Sequence, residues 1–255
     1  MKLASCTYSY RQALKSGEMS LQQCVTTCAE LGLDGIELTS YFFPRTDREY
    51  LNHIKRCCFE AGLDVCGTAV GNDFAQADEE KVRADVAMTK EWIDHGVVLG
   101  APCIRIFGGR VPEGEDEDAV MQRAAACMRE CAEYGEERGV VVALENHGGI
   151  TATADHMKRL VEMVDHEWFG INLDFGNYRR PDPEFAETAP LSVTTHAKVT
   201  YRDPDGETHP VDYEMVREVM EGVGYRGYIS IEYEEEEPAD TGMPRFVDEL
   251  KRVFR

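Results

Sequence analysis

A short apolar run followed by a longer amphipathic stretch is the pattern that repeats along this chain of 255 residues. The runs are of strand length, and each long stretch carries a single apolar stripe, which is typical of a helix lying on a sheet. A glycine usually stands before the next strand, where the chain must leave the helix through a left-handed residue. The clearest of these joints lie at Glu30–Leu38, Glu60–Val70, Leu99–Phe107, Glu137–Glu145 and Gly224–Glu232. Capping boxes at Ser20 with Gln23 and at Thr46 with Glu49 predict two helix starts.

The number of repeats decides between a closed barrel and an open sheet. About eight strands are predicted, in a chain close to the roughly 250 residues typical of a (β/α)₈ barrel. An open doubly wound sheet would normally carry a glycine fingerprint after its first strand, and Ala4–Leu14 has none. We therefore predict an α/β fold, a single (β/α)₈ TIM barrel domain over residues 1–255. The predicted strands are Leu3–Thr7, Gly35–Thr39, Val65–Val70, Cys103–Phe107, Val140–Asn146, Gly170–Asp174, Val193–Lys198 and Tyr228–Tyr233.

Charge and cysteine content limit the partners and the compartment. The chain has 48 Asp and Glu against 27 Lys and Arg, a formal charge of -21 at pH 7, and a surface this acidic repels nucleic acid and anionic lipid. No apolar run approaches the roughly 20 residues of a membrane-spanning helix, and the first residues lack the apolar core of a signal peptide. Nine cysteines without a CxxC pair suit reduced core thiols better than disulfides or a thiolate zinc site. We expect a soluble cytoplasmic protein that binds neither nucleic acid nor membrane.

Four consecutive late strands end in a polar side chain that could coordinate a metal. These residues are Glu145, Asp174, His196 and Glu232, and each of the three acidic ones follows directly on an apolar run. In a (β/α)₈ barrel the C-terminal ends of the strands meet at one mouth, where the active site lies. Buried carboxylates need a compensating positive charge, and three carboxylates with one imidazole suit a divalent ion such as Mn²⁺, Mg²⁺ or Zn²⁺. A single carboxylate in such a place is more often a salt-bridge partner or a helix cap, but four converging strand ends favour one metal site.

The segments that end these strands, ALENH, INLDFGN, THAK and ISIEY, resemble those of the xylose isomerase-like barrel superfamily of sugar (phosphate) isomerases and epimerases. The resemblance covers essentially the whole chain. In that superfamily a Glu, an Asp, a His and a Glu on four late strands bind one divalent metal. The resemblance implies one ion here, with Mn²⁺ favoured and Mg²⁺, Zn²⁺ or Co²⁺ as alternatives. The residues that match these ligands are Glu145, Asp174, His196 and Glu232.

Two further residues share a strand face with a predicted ligand. His147 lies two residues after Glu145, and Lys198 lies two residues after His196, so each should face the pocket. We expect His147 to bind a substrate hydroxyl or to act as a base, the alternative being a loop residue bonded to backbone. In some carbon–glycoside-cleaving relatives a His at this place is thought to take the proton. Lys198 would stabilise a developing enolate oxygen or form a salt bridge with a nearby carboxylate.

Four residues in all are candidate substrate contacts beyond His147 and Lys198. Arg202 falls where epimerases of the resembled superfamily often have an Arg that touches substrate or a ligand carboxylate, within the turn-rich segment VTYRDPDGE. Asn177 lies three residues after Asp174, at a place where those epimerases commonly have a His. It can donate to a hydroxyl but cannot act as acid or base. Glu37 and Arg105 also lie near strand ends and either face the mouth or form an Arg–Glu pair that braces the barrel.

The predicted chemistry is isomerisation or epimerisation of a small sugar, keto-sugar or keto-inositol. Glu145 or Glu232 would remove a proton next to the carbonyl, giving an enediolate that the metal, Lys198 and His147 stabilise. With a leaving group β to the carbonyl, the same site would act as a lyase or dehydratase on a 3-keto-sugar or keto-glycoside. Isomerisation or epimerisation is preferred because it is more frequent in the resembled superfamily, and the combination of Asn177 and His147 keeps elimination open as the alternative.

Two other functional classes fit less well. An endonuclease IV-like phosphodiesterase shares the barrel but needs about three zinc ions and many His ligands, whereas only His147 and His196 of the seven His lie at convincing strand ends. A catalytically inactive sugar-binding barrel would not need an intact set of metal ligands. A neutral sugar is preferred to a phosphorylated one, for which Arg179 and Arg180 offer a candidate site. Related barrels often pair, so a homo-oligomer is compatible with the sequence.

Overall fold

Ten strands are present in the computed structural model, which describes residues 1–255, and eight of them close into a parallel barrel. The strands are β1 (Lys2–Cys6), β2 (Gly35–Thr39), β3 (Asp64–Ala69), β4 (Cys103–Ile106), β5 (Val141–Glu145), β6 (Phe169–Asp174), β7 (Ser192–Ala197), β8 (Thr200–Arg202), β9 (Thr208–Pro210) and β10 (Tyr228–Ile231). The barrel has the strand order β1–β10–β7–β6–β5–β4–β3–β2, and β8 and β9 form a separate hairpin. The predicted (β/α)₈ barrel is confirmed, with strand bounds that differ from the predicted ones by no more than two residues.

Helices form the outer layer of the barrel. They are α1 (Arg11–Ser16), α2 (Leu21–Glu30), α3 (Arg48–Glu60), α4 (Glu79–Leu99), α5 (Glu117–Arg138), α6 (Ala154–Val164), α7 (Pro181–Thr188), α8 (Tyr213–Gly222) and α9 (Ala239–Phe254). Each long helix buries one side: α2, for example, places Leu21, Cys24 and Cys28 in the same apolar core as Ile36 and Leu38 of β2. Burying one such aliphatic side chain stabilises the fold by roughly 1.5–3 kcal/mol.

No helix combines the length and the apolar character needed to cross a bilayer.

One glycine in each predicted helix-to-strand joint adopts the left-handed backbone that ends a helix. Their φ values of 66°, 73°, 87°, 71° and 74° belong to Gly32, Gly62, Gly100, Gly139 and Gly224. A side chain with a Cβ is strained in this region, so glycine is the residue that lets the chain turn from each helix into the next strand.

One of the two predicted capping boxes is present and the other is wrong. Ser20 accepts a hydrogen bond from the N–H of Gln23, whose side chain accepts from the N–H of Ser20, which confirms the first box. The second box was expected at Thr46, but α3 is capped by Asp47, whose carboxylate accepts from the N–H of Tyr50. A carboxylate is at least as good an N-cap as a threonine hydroxyl, and its charge also favours the positive end of the helix dipole.

The inside of the barrel is polar, whereas the side that faces the helices is apolar. On β2, Ile36 and Leu38 belong to the apolar core, and Glu37 between them reaches His196 of β7 and Ser230 of β10. This division follows from the alternation of side chains along a strand. The apolar packing that stabilises the fold therefore lies between the strands and the surrounding helices, whereas the ionisable groups lie in the interior of the barrel.

The hairpin of β8 and β9 was not predicted, because the segment after β7 was expected to be a turn-rich loop. Its two strands pair antiparallel, with Thr200 opposite Pro210. The carboxylate of Asp203 accepts hydrogen bonds from the N–H groups of Asp205 and Glu207, at 3.0 and 2.9 Å, and so closes the turn. Strands of three residues are too short to show an alternating pattern in the sequence.

Candidate metal centre

The four predicted ligands meet inside the C-terminal end of the barrel. Glu145 and Asp174 are the last residues of β5 and β6, His196 lies in β7, and Glu232 follows β10. One candidate ligand atom from each lies within 4.8 Å of the others. His196 Nδ1 is 3.4 Å from the nearest oxygen of Glu145 and 3.8 Å from the nearest oxygens of the other two carboxylates. Ligands that bind one ion at about 2.1 Å lie roughly 3–4 Å apart, so the spacing fits a single metal.

The orientation of His196 is set by Glu37. The ring atom Nε2 lies 3.1 and 3.0 Å from the two oxygens of Glu37, and Ser230 Oγ donates to the same carboxylate at 3.1 Å. Nε2–H therefore donates to Glu37, and Nδ1 keeps its lone pair toward the three other carboxylates. A carboxylate behind a ligating imidazole is the usual partner of a metal-bound histidine. Glu37 was predicted either to face the mouth or to brace the barrel in a pair with Arg105; it is 3% exposed, and its carboxylate pairs with His196 instead.

Two buried atoms at the centre of the cluster have no hydrogen-bond partner. They are Nδ1 of His196 and Oδ2 of Asp174, and both residues are fully buried. Buried polar atoms are rarely left unpaired, because each loses its hydrogen bonds to water without replacement. A lone pair that faces carboxylate oxygens calls for a cation between them. The residues present thus fit a divalent metal ion.

The buried charges inside the barrel lead to the same conclusion. Four carboxylates, those of Glu37, Glu145, Asp174 and Glu232, are buried together with two permanent cations. The cations are Arg105 and Lys198, so four negative charges less two positive charges leave an excess of two negative charges. One dication neutralises this excess when Asp174 is ionised and His196 is neutral.

The pKa values of these groups show how the protein alone balances its charges. Burial raises the pKa of Asp174 to about 7, and the charges of Glu145 and Glu232 add to this, although Lys198 opposes it. Burial lowers the pKa of His196, but Glu37 and Glu232 outweigh this effect and hold that pKa well above its usual value. The cluster therefore retains protons near neutral pH, and metal binding must displace them.

Arg105 fixes Glu145 from the side of β4. Its Nε lies 3.1 Å from Glu145 Oε2, Nη1 donates to the carbonyl of Val70 at 3.0 Å, and the guanidinium stands 3.9 Å from the ring centre of Phe107. Arg105 outweighs the effect of burial, so the pKa of Glu145 is lowered. Arg105 was predicted as a substrate contact or as the partner of Glu37. It is 2% exposed and pairs with Glu145, because β4 is the neighbour of β5.

Lys198 and Asn177 lie directly beside the predicted ligands. Lys198 Nζ is 3.1 Å from Glu232 Oε2 and 3.5 Å from Asp174 Oδ2. Asn177 donates its amide to Glu145 Oε1 at 3.1 Å and accepts from Lys198 Nζ at 3.4 Å. Both side chains therefore contact the carboxylates, and both also line a cleft at this end of the barrel.

His147 and Arg202 lie farther out. The ring of His147 is exposed and its centre is 4.4 Å from that of Phe107, while its backbone N–H donates to Thr151 Oγ1 at 2.9 Å. Arg202 is exposed on β8 and lines a cleft of about 770 Å³. This cleft is also lined by Asn177 and Lys198 but by none of the four predicted ligands. Arg202 makes no ion pair with a ligand carboxylate, because the hairpin carries it away from the barrel axis.

Several residues of the site were not predicted. Asn146 donates to the carbonyl of Asp174 at 2.9 Å and accepts from its N–H at 2.7 Å, so it fixes the end of β6. Asn172 points inward two residues before Asp174 and lies 3.4 Å from Glu145 Oε2. The alternation along each strand could have identified Asn172, whereas Glu234, which contacts Lys198, is hidden in a run of glutamates.

The family model described as the xylose isomerase-like TIM barrel matches residues 25–252. The chain belongs to this family. A curated member of similar sequence is the 2-oxo-tetronate isomerase of Haemophilus influenzae, which is 21% identical over 164 residues. The match covers 60% of this chain and 64% of that protein, less than two thirds of its length.

Solved structures of this xylose isomerase-like family share the fold across the chain. The D-psicose 3-epimerase of Clostridium cellulolyticum H10 has a TM-score of 0.80 and 17% identity, and the match covers 100% of both chains. The probable 3-DHS dehydratase AsbF of Bacillus anthracis has a TM-score of 0.80 and 19% identity, with 98% of this chain and 99% of that one covered. The similar proteins thus include isomerases, epimerases and a dehydratase, and at these identities the likeness concerns the fold.

Proposed function

We propose that this protein is a divalent-metal-dependent isomerase or epimerase that moves a proton next to the carbonyl of a small sugar. The observation that carries the proposal is the environment of His196. Its Nε2 is bound to Glu37, and its Nδ1 faces three carboxylates without a partner. The enzymes of similar fold support this choice of chemistry.

Glu145, Asp174, His196 and Glu232 would hold the ion, and their mixed nitrogen and oxygen atoms favour Mn²⁺ over Mg²⁺, Zn²⁺ or Co²⁺. A divalent ion at this position supplies the Lewis acidity that polarises a carbonyl and makes the neighbouring C–H bond more acidic.

The protein's own groups then move the proton. Glu145 and Glu232 have lowered pKa values, because Arg105 in the first case and His196 with Lys198 in the second outweigh burial. Both carboxylates are therefore ionised at neutral pH and able to accept a proton. Lys198 is placed to donate a hydrogen bond to the oxygen on which negative charge develops. His147 and Asn177 would bind substrate hydroxyls.

A lyase or dehydratase is the second candidate, and the hydrogen bonding of Asn177 favours it. Its amide is engaged by Glu145 and Lys198, and it offers no acid or base at the place where an epimerase of this family commonly has one. The exposed His147 is then the imidazole available to protonate a leaving group. The fold shared with a probable dehydratase is compatible with this chemistry.

A neutral substrate suits the surroundings of the site better than a phosphorylated one. The segment after β10 places Glu234, Glu235, Glu236 and Glu237 along the outer cleft, where they would repel a phosphate. Arg179 lines the same cleft, but Arg180 does not.

The proposed function is tested by proton NMR in D₂O with Mn²⁺-loaded protein and a panel of ketoses, keto-inositols and 3-keto-glycosides. We expect loss of the signal of one proton next to the carbonyl for at least one substrate, followed by an isomer or by release of a leaving group. Glu232→Gln should slow this exchange by at least about 100-fold, because it removes a base and a ligand of the proposed metal. Lack of exchange with every substrate would favour a barrel that only binds sugars.

A further inference from the structure

Lys198 places its ammonium on two oxygens that the predicted metal site needs. Nζ lies 3.1 Å from Glu232 Oε2 and 3.5 Å from Asp174 Oδ2. These are the same two oxygens that lie 3.8 Å from His196 Nδ1. A dication bound to them would stand a few ångströms from the ammonium, and like charges at that distance repel strongly in a buried site. The ammonium and the metal ion cannot both use these oxygens fully.

Glu234 offers the ammonium a second partner at the rim of the barrel. Its carboxylate pairs with Lys198 Nζ, and its side chain is 36% exposed, whereas that of Lys198 is 10% exposed. Two hydrogen bonds hold the backbone of the preceding residue, Tyr233. Its N–H donates to Ser9 Oγ at 2.9 Å, and its carbonyl accepts from Arg11 at 2.8 Å. The backbone that leads into Glu234 is therefore anchored to the barrel by contacts that do not involve Lys198.

The stem of Lys198 runs over Gly176. A Cβ at position 176 would come within 2.8 Å of both Cβ and Cδ of Lys198, so a larger residue would displace the stem. A lysine ammonium is a point charge on a flexible chain and can exchange partners without a change in the backbone. Asn177 Oδ1, at 3.4 Å from Nζ, is a further acceptor for the ammonium.

We propose that Lys198 competes with the metal for Asp174 Oδ2 and Glu232 Oε2, and that Glu234 holds the ammonium at the rim once the metal takes these oxygens. Glu234 is thus a positioning residue with two effects. It favours metal binding by drawing away a competing cation, and it keeps Lys198 as a donor toward the substrate. This inference rests on the proposed function, because it requires the metal.

The test is a calorimetric titration of Mn²⁺ into the full-length protein without any sugar. The variants are Lys198→Met, Glu234→Gln and the double variant that combines both. Glu235→Gln is the matched control, because it removes one charge from the same segment. The carboxylate of Glu235 accepts from Thr200 Oγ1 at 3.0 Å and does not contact Lys198. Circular dichroism verifies that each variant is folded.

Three results are expected. Lys198→Met should bind Mn²⁺ at least about 10-fold more tightly than the wild-type protein, since the competing charge is gone. Glu234→Gln should bind Mn²⁺ roughly 5- to 10-fold more weakly than Glu235→Gln, since the ammonium then rests on the metal ligands alone. In the Lys198→Met background, Glu234→Gln should have no more effect than Glu235→Gln has in the wild-type protein, because two residues that act through one contact are not additive.

The inference is overturned if Lys198→Met leaves the Mn²⁺ affinity unchanged or weaker, or if Glu234→Gln and Glu235→Gln behave alike. Should Lys198→Met fail to fold, the comparison of the two glutamate variants decides alone, since both residues lie at the rim. A wild-type protein that binds no Mn²⁺ removes the proposed function as well. Mn²⁺ binding that these substitutions do not alter removes this inference and leaves the proposed function standing.

Discussion

Glu37 is the residue whose role depends most clearly on a contact between distant parts of the chain. It is separated from His196 by 159 positions, yet the two side chains share a buried hydrogen bond. We predict that Glu37→Gln weakens Mn²⁺ binding by about 10- to 100-fold, because a neutral amide lacks the negative charge that makes the imidazole a more basic ligand. Calorimetry gives the affinity, and Glu49→Gln, on the first turn of α3, serves as the control. An unchanged affinity in Glu37→Gln would contradict this role.

The raised pKa of Asp174 predicts how the effect of the metal depends on pH. The folded protein holds this proton up to a pKa of about 7, above the ordinary value of 3.8. The contribution of this group to stability is therefore present below about pH 4 and is lost as the pH rises through 7. A dication replaces the proton, so Mn²⁺ should raise the melting temperature more at pH 8 than at pH 5.5. Differential scanning fluorimetry at both pH values checks this, and an equal or larger rise at pH 5.5 would argue against it.

Single residues differ in how well the sequence predicts them. Glu145, Asp174, His196 and Glu232 were predicted as a group, because each interrupts an apolar strand at its C-terminal end. For Glu37 and Arg105 the sequence did not decide between a place at the mouth and a buried place, because the same strand-end pattern fits both. Which neighbour each side chain meets depends on the strand order and the register of the barrel.

At the scale of elements, β5 and β6 are tied together at the point where both deliver a ligand. The amide of Asn146 binds the N–H and the carbonyl of Asp174. Asn146→Ala should reduce the free energy of unfolding by roughly 2–4 kcal/mol, because two buried backbone groups lose their partner. Urea denaturation measures this loss, with Asn52→Ala on the exposed side of α3 as the control, expected within about 0.5 kcal/mol of the wild type. Equal stability of Asn146→Ala and Asn52→Ala would show that the hydrogen bonds between Asn146 and Asp174 do not stabilise the fold.

The sequence predicted the elements of the barrel well and the hairpin poorly. The barrel strands are short, mostly buried runs, and glycines such as Gly100 and Gly139 mark where a helix ends, so local signals were sufficient. The strands β8 and β9 have only three residues each and no apolar alternation. Their pairing depends on the turn at Asp203, and a turn of this kind is equally compatible with an irregular loop.

For the whole molecule, stability and chemistry lie in separate layers. The helices pack on the outside of the strands, and the inside holds four carboxylates with two permanent cations. The central claim is that one divalent ion neutralises this interior at Glu145, Asp174, His196 and Glu232. The formal charge of -21 does not determine this, because surface carboxylates bind cations weakly and without fixed number.

The most direct test is to count the ions bound by metal-stripped protein in a Mn²⁺ titration followed by electron paramagnetic resonance of the free ion. We expect one tightly bound Mn²⁺ per chain in the wild type. In folded His196→Gln, binding should be at least about 100-fold weaker, since the only nitrogen ligand is lost. No tight binding by the wild type, or equal binding by His196→Gln, would contradict the account.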